Sequence, residues 1–421
     1  MGPDAVAILQ GASLMPRSND THYPFRQNSD FWYITGFDHP DATAILSTIE
    51  GRPRYTLFVQ PRDPAAESWT GFRPGLEGAT KDYGADESAA CDSFLDALPE
   101  LLKGSRRIFH SFGIRRELDA KLTEIQETLR SQSRKGDLPA EEYSDPRSML
   151  HEMRLFKSPE EVAIMRSAAE ITCHAHREAA QLIAPGRYEY EIEAALEYAF
   201  RRRGGAGAAY ASIVAGGPRA TILHYIRNDQ RLRDGEMVLI DAGAECEGYA
   251  SDVSRTYPIG GRFEGAGREL YEVVLAAQLA GIAGAKPGTT LPDIHALTSR
   301  RLVEGLLDLG LLSGEADELI AAEEHRRFYI HGTSHWLGLD VHDVGRYTEA
   351  GEARPLEAGM VLTIEPGLYI SEEAEDVPAA FRGIGVRIED DLVITAEGHE
   401  NLNDGIPKHP SDVEDWLRGD A

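Results

Sequence analysis

The sequence predicts a mixed α/β (α+β) protein built as two domains, residues 1–150 and 151–421. Three observations predict it. The chain has 421 residues, more than one ordinary domain holds. Residues 1 to 150 alternate short apolar runs with polar breaks and helical patterns. Residues 151 to 421 carry a weak internal repeat of helices followed by strands.

In the first domain, residues 5–9, 31–34, 42–49 and 55–59 read as strands, because each is apolar and bounded by turn residues. Residues 88–102 and 117–129 read as helices. The boundary near residue 150 precedes a strong helix start. In Ser158-Pro159-Glu160-Glu161, Ser158 can cap, Pro159 suits the first helical position and Glu161 completes a capping box. That helix should run to Ala184, where Pro185-Gly186 stops it.

The repeat lies beyond. Pro185-Gly186 precedes a second helix carrying Ile192, and Pro287-Gly288 precedes a helix carrying Ile294 at the same offset. Gly235-Glu-Met-Val-Leu-Ile-Asp241-Ala-Gly243 resembles Gly359-Met-Val-Leu-Thr-Ile-Glu365-Pro-Gly367. Each half therefore ends an apolar strand on a carboxylate.

Composition narrows the function. With 42% hydrophobic and 27% charged residues the chain reads as a soluble globular protein. No run approaches the roughly 18 apolar residues of a membrane span. Met1-Gly2-Pro3-Asp4 lacks the basic and apolar regions of a signal peptide. Cys91, Cys173 and Cys246 are odd in number and far apart, which excludes a disulfide framework or a CxxC zinc site and fits a reducing cytoplasm. A net charge of −27 argues against nucleic acid and suits a cationic group such as a peptide α-amine.

The chemistry-bearing residues are Asp241, Asp252, His335, Glu365 and Glu389, each in or at the end of an apolar, strand-like segment. Carboxylates in such surroundings need a partner or a metal. Residues 237–242 and 249–257 read as a hairpin turning around Cys246-Glu247, which sets Asp241 opposite Asp252, about 5 Å apart at Cβ. Two carboxylates that close repel unless a cation sits between them. Arg387, two residues from Glu389, shares its strand face and can support a ligand carboxylate. Three histidines crowd His331-Gly-Thr-Ser-His335-Trp-Leu-Gly-Leu-Asp340-Val-His342-Asp343, and His224 stands apart. The His331–His335 spacing matches a zinc-binding HExxH helix, but the Glu is missing and Gly332 interrupts it. Four carboxylate charges match two divalent cations. One imidazole among oxygen donors suits Mn²⁺, Co²⁺, Fe²⁺ or Zn²⁺. Two such ions about 3.5–4 Å apart lower the pKa of a shared water and clamp a carbonyl oxygen.

This residue set resembles the metal site of the methionine aminopeptidase, prolidase and creatinase superfamily, with its pita-bread fold. Longer strings resemble the Xaa-Pro aminopeptidase (aminopeptidase P) family, M24B. They are the His331–Asp343 string quoted above, Leu362-Thr-Ile-Glu-Pro-Gly-Leu-Tyr369 and Met153-Arg-Leu-Phe-Lys-Ser-Pro-Glu160. Tyr23-Pro-Phe-Arg-Gln-Asn-Ser-Asp-Phe-Trp-Tyr-Ile-Thr-Gly36 and Trp69-Thr-Gly71-Phe-Arg73 resemble that family's N-terminal domain. Family members usually carry an Arg- and Leu-rich helix before the first strand, whereas here the run 5–9 comes almost at once.

The resemblance implies an N-terminal α/β domain of creatinase type followed by a pita-bread domain of two pseudo-twofold halves. It implies release of an N-terminal residue from peptides with proline second, by attack of a hydroxide shared between two divalent ions, manganese first. Asp241, Asp252, His335, Glu365 and Glu389 become the metal ligands. Glu365, His224, His331 and His342 take catalytic roles, and His331, Tyr369 and Arg387 line or support the proline pocket. A homo-oligomer, dimer or tetramer, is implied as well. The alternatives are a prolidase, restricted to Xaa-Pro dipeptides, and a non-catalytic binding protein on the same fold. The presence of all five ligand types argues against the second.

Overall fold

In the computed structural model, which describes residues 1–132, 134 and 138–419, a six-stranded sheet organises the first part of the chain. Its order is Glu87–Ala90, Arg54–Val59, Thr43–Ser47, Ala5–Gln10, Arg107–Phe109, Glu142–Ser144. Ala5–Gln10 pairs antiparallel with Thr43–Ser47 and parallel with Arg107–Phe109. Its apolar run has both faces covered, as a central strand requires. Val6 and Ile8 pack with Phe94, Leu98, Leu118 and Leu122 of the helices Phe94–Leu101 and Arg116–Gln132. Leu9 packs with Phe31 and Leu57 in a separate cluster.

Two sequence expectations fail here. Residues 31–34 are not a strand but part of the helix Ser29–Thr35. The Asn28 side chain accepts from the Phe31 N–H at 3.0 Å, and Gly36 closes the helix at φ 61°. The expected helix 88–102 divides into the strand Glu87–Ala90 and the helix Phe94–Leu101, because Glu87–Ala90 finds a parallel partner in Arg54–Val59.

The chain divides into two compact units, Met1–His151 and Glu152–Ala421. In the second, Pro159–Ala180 begins with a complete Ser158/Glu161 capping box and pairs with Glu189–Arg202. It stops at Ala180, short of the expected Ala184, and tight turns lead on to Pro185-Gly186. Gly265–Gly284 and Leu291–Asp308 repeat the arrangement, the latter with a Thr290/Asp293 capping box. Each helix pair is followed by antiparallel strands. The first set is Ile213–Gly216, Met237–Asp241 and Ser254–Pro258. The second places Val361–Ile364 between the extended Trp336 segment and Asp390–Ile394, with His399–Asn401 outermost. Asp241 and Glu365 thus leave the ends of equivalent central strands. Glu389 lies not within a strand but in the step between Ile384–Arg387 and Asp390–Ile394. Among the described residues no helix is long and apolar enough to cross a membrane.

A buried ion pair ties the two halves together. Arg255, from the first half, is 0% exposed. It donates to Asp390 Oδ1 at 2.6 Å and to the carbonyls of Glu389, Ile406 and Pro407. Gln278, Asn401 and Lys408 complete the Asp390 carboxylate. Burial alone would raise this carboxyl, but Arg255 and Lys408 hold it well below the usual carboxylate range. Its stabilisation is therefore complete above the unfolded pKa of about 3.9 and is lost as pH falls through the depressed folded value. Asp390→Asn should cost about 3 kcal/mol of unfolding free energy at neutral pH. Denaturant titrations at a series of pH values should show the gap from wild type closing below about pH 4.

Candidate metal centre and active site

Asp241 ends the strand Met237–Asp241, and the chain returns past Asp252. The return is a hairpin, but its register differs from the expected one by two residues. The turn sits at Glu247-Gly248, so Asp241 faces Ser254 and Cys246 faces Tyr249. A shift of two leaves every side chain on its original face, so Asp241 and Asp252 still point the same way. Gly243 permits the return: a Cβ there would lie 1.7 Å from the Ser251 carbonyl oxygen. Tyr210 OH lies 2.6 Å from Asp241 Oδ1 and 2.6 Å from Asp252 Oδ1.

The second half brings His335, Glu365 and Glu389 to the same place. Thr363 N–H donates to the His335 carbonyl at 3.0 Å, and Glu365 N–H to the Thr333 carbonyl at 2.8 Å. His335 is thereby held alongside Val361–Ile364. Its Nδ1 donates to the Trp336 carbonyl at 3.0 Å, which turns Nε2 toward Asp252 Oδ2 (3.4 Å) and Glu365 Oε1 (3.6 Å). Ser254 Oγ donates to Glu389 Oε2 at 2.8 Å. One ligand atom each from Asp252, His335 and Glu389 lies within 4.8 Å of the others.

All five residues line one cavity of about 700 Å³, together with His224, His331, His342 and Arg387. His342 lies ring to ring with His335, centroids 4.5 Å apart. Tyr369 stands behind His331 and Arg387. Arg387 Nη1 donates to Tyr369 OH at 2.9 Å, so the phenol proton points to His331 Nε2 at 2.8 Å. His331 Nδ1 then donates to the Gly332 carbonyl. Arg387 pairs with Asp241 Oδ2 at 2.6 Å and donates to Ser254 Oγ at 2.7 Å. It supports a carboxylate, as expected, but reaches across to the first half rather than to Glu389.

Three participants carry no signal in the sequence. Tyr210 sits in a run of small residues with no periodicity. Ser254 joins Glu389 to Arg387 only through the observed register. Asp391 accepts from Asp252 N–H and Ser251 Oγ, buried two residues beyond Glu389.

The electrostatics ask for a cation. Burial, then the neighbouring carboxylates, pushes Glu389 well above its ordinary value. Burial raises Asp241 although Arg387 opposes it, and raises Glu365 to about 7. Burial would lower His335, but Asp252 and Glu365 raise it to about 9, and the same contact outweighs burial to lower Asp252. Burial and Arg387 push His331 down to about 3, which keeps it neutral. The acids cannot all ionise together without added positive charge. Four carboxylates and an imidazole with Nε2 turned toward them, where a metal ion would replace the ring proton, fit a divalent cation of the oxygen- and nitrogen-binding class.

Comparison with known proteins agrees. Residues 163–396 match the model of metallopeptidase family M24, and residues 1–109 match that of the aminopeptidase P N-terminal domain. The chain is 44% identical over 415 residues to the Xaa-Pro aminopeptidase of Escherichia coli K12, covering 98% of this chain and 94% of that protein. The structure of Pseudomonas aeruginosa aminopeptidase PepP superposes with a TM-score of 0.96 at 44% identity, covering 100% of this chain and 95% of the other. A zinc-substituted E. coli aminopeptidase P in complex with product superposes equally well, with a TM-score of 0.96 at 44% identity over 100% and 96% of the two chains. Sequence, pita-bread fold and metal-binding cluster together place the chain in metallopeptidase family M24, among the aminopeptidases P.

Proposed function

We propose that this chain is a metal-dependent Xaa-Pro aminopeptidase holding two divalent cations, manganese first. The observation that carries the reading is the convergence of Asp241, Asp252, His335, Glu365 and Glu389 from both halves in one cavity beside His224, His331 and His342. These five residues hold the cations. Bound there, the cations supply Lewis acidity that lowers the pKa of water and polarises a carbonyl.

The chain's own groups do the rest. Neutral His331, oriented by Tyr369 and Arg387, walls the proline slot. A bond to proline is a tertiary amide without an N–H, so positioning and protonation of the leaving nitrogen decide its cleavage. Glu365 takes the proton of the attacking water and delivers it to that nitrogen. His224 and His342 donate to the carbonyl oxygen as it gains charge.

A prolidase would need a site closed beyond proline. Here a second cavity of about 480 Å³ adjoins the first and shares His331, Gly332, Ser334 and Tyr347 with it. That room supports peptides longer than two residues. The three free cysteines support a reducing, cytoplasmic setting. Trp69 and Phe72, 90% and 73% exposed in the first unit, support self-association as a dimer or tetramer.

Arg-Pro-Pro should be cleaved to free arginine with Mn²⁺, and chelator should abolish it. Cleavage of Arg-Pro alone would make the protein a prolidase. Asp252→Asn should lower kcat by at least ~100-fold, and elemental analysis should show fewer than the two metal ions per chain expected of wild type. Full activity in that variant would overturn the ligand assignment.

A further inference from the structure

Beyond Leu337 the segment that carries His342 leaves the sheet and turns back on itself. Gly338 N–H donates to the Asp340 carbonyl at 3.2 Å, and Asp343 N–H to the Trp336 carbonyl at 2.8 Å. His342 projects from this turn without a strand partner, so its place in the cavity depends on what anchors the turn.

The anchor is ionic and buried. The Asp343 side chain is 1% exposed, with both carboxylate oxygens occupied by cations. Arg154 Nη2 lies 2.5 Å from Oδ1, and Lys157 Nζ lies 2.9 Å from Oδ2. Arg154 Nη2 also reaches Asp340 Oδ2 at 2.7 Å. The Lys157 and Arg154 side chains are 1% and 3% exposed. Gly338 makes the approach possible: a Cβ there would fall 2.2 Å from Asp343 Oδ2 and 2.9 Å from Lys157 Cε. The cations are themselves fixed. Lys157 N–H donates to the Gly359 carbonyl at 2.8 Å, just before the strand that leads to Glu365. Leu155, 0% exposed, packs with Trp336 and Met360. Desolvated ions of this kind add little net stability, whereas removing one partner leaves an uncompensated buried charge, so the pairs hold the turn in one arrangement.

We propose that Lys157 and Arg154 are positioning residues for His342: by locking the carboxylates of Asp343 and Asp340 they hold its imidazole against the reacting carbonyl. The proposal rests on the role given to His342 above.

The test is a double-mutant cycle in the metal-loaded, full-length protein with Arg-Pro-Pro as substrate. Lys157→Met keeps the side-chain length and removes the charge. It should lower kcat roughly tenfold, a misplacement effect, with KM changed less than about twofold and metal content retained. In a His342→Ala background the same substitution should lower kcat by less than about twofold. Lys157→Arg should recover most of the loss. Equal losses in both backgrounds, or no loss in the single variant, would overturn the proposal. If Lys157→Met does not fold, Arg154→Gln, which removes the charge that reaches both Asp340 and Asp343, enters the same cycle with the same criteria. A second readout is independent of turnover. In ring-labelled histidine NMR spectra the His342 signal, identified by its loss in His342→Ala, should shift in Lys157→Met while buried His176 stays put. A wild type inactive on Xaa-Pro peptides would defeat the functional reading alone; an unmoved His342 signal would defeat the positioning role.

Discussion

The structure is organised around one electrostatic constraint: four carboxylates are buried within reach of one another. A single carboxylate taken out of water without a partner either costs several kcal/mol or protonates. Four together are sustained by positive charge supplied from several directions. Arg387 meets Asp241 and His335 faces Asp252 and Glu365, while the neutral hydroxyls of Tyr210 and Ser254 donate to Asp241, Asp252 and Glu389. The acids also arrive from different elements: one at each central strand end, one in the hairpin return and one in the step between strands. No single element could crowd them this closely. The two-half architecture brings separate chain ends to one point and leaves the residual negative charge for cations to balance.

That arrangement requires the halves to keep a fixed relation, and the Arg255–Asp390 pair shows how. Arg255 follows Ser254, which donates to Glu389, and Asp390 follows Glu389. The same two extended segments therefore carry a cavity-side contact on one face and a buried cross-tie on the other, an alternation that an extended backbone with a side-chain period of two makes available. Moving Ser254–Pro258 by one residue would exchange its faces and turn Arg255 toward the cavity.

What was legible in the sequence follows from which interactions are local. Capping at Ser158-Pro159-Glu160-Glu161 is a four-residue matter and was readable. Carboxylates ending apolar runs, and the repeat that sets Asp241 beside Glu365, were readable because residue type and period are local. Register was not. A symmetric turn at Cys246-Glu247 and the observed one at Glu247-Gly248 differ only in where φ turns positive, 46° at Glu247 and 83° at Gly248. The helix Ser29–Thr35 resembles a strand in the sequence because Phe31–Ile34 are four consecutive large apolar residues, whereas its Asn28 and Gly36 caps are single residues. Tyr210 and Asp391 join the site only through long-range contacts, for which a single sequence holds no signal.

The long strings around the site then take on a physical meaning that residue chemistry alone does not supply. Metal-site residues need only be carboxylates or imidazoles at strand ends. The stretch from Met153 to Glu160 contributes no side chain to the cavity, yet it includes a buried lysine, an arginine shared by two aspartates and the cap of the helix Pro159–Ala180. Buried ion pairs add little net stability and are costly to break, so they fix the geometry of what they hold. The aspartates of these pairs lie on a turn of the site built from irregular backbone. A strand end holds Asp241 or Glu365 through its ladder of hydrogen bonds, whereas the turn carrying His342 has no ladder to rely on. Ion pairs with fixed geometry take its place, and the demands of that turn reach back to the first residues of the unit.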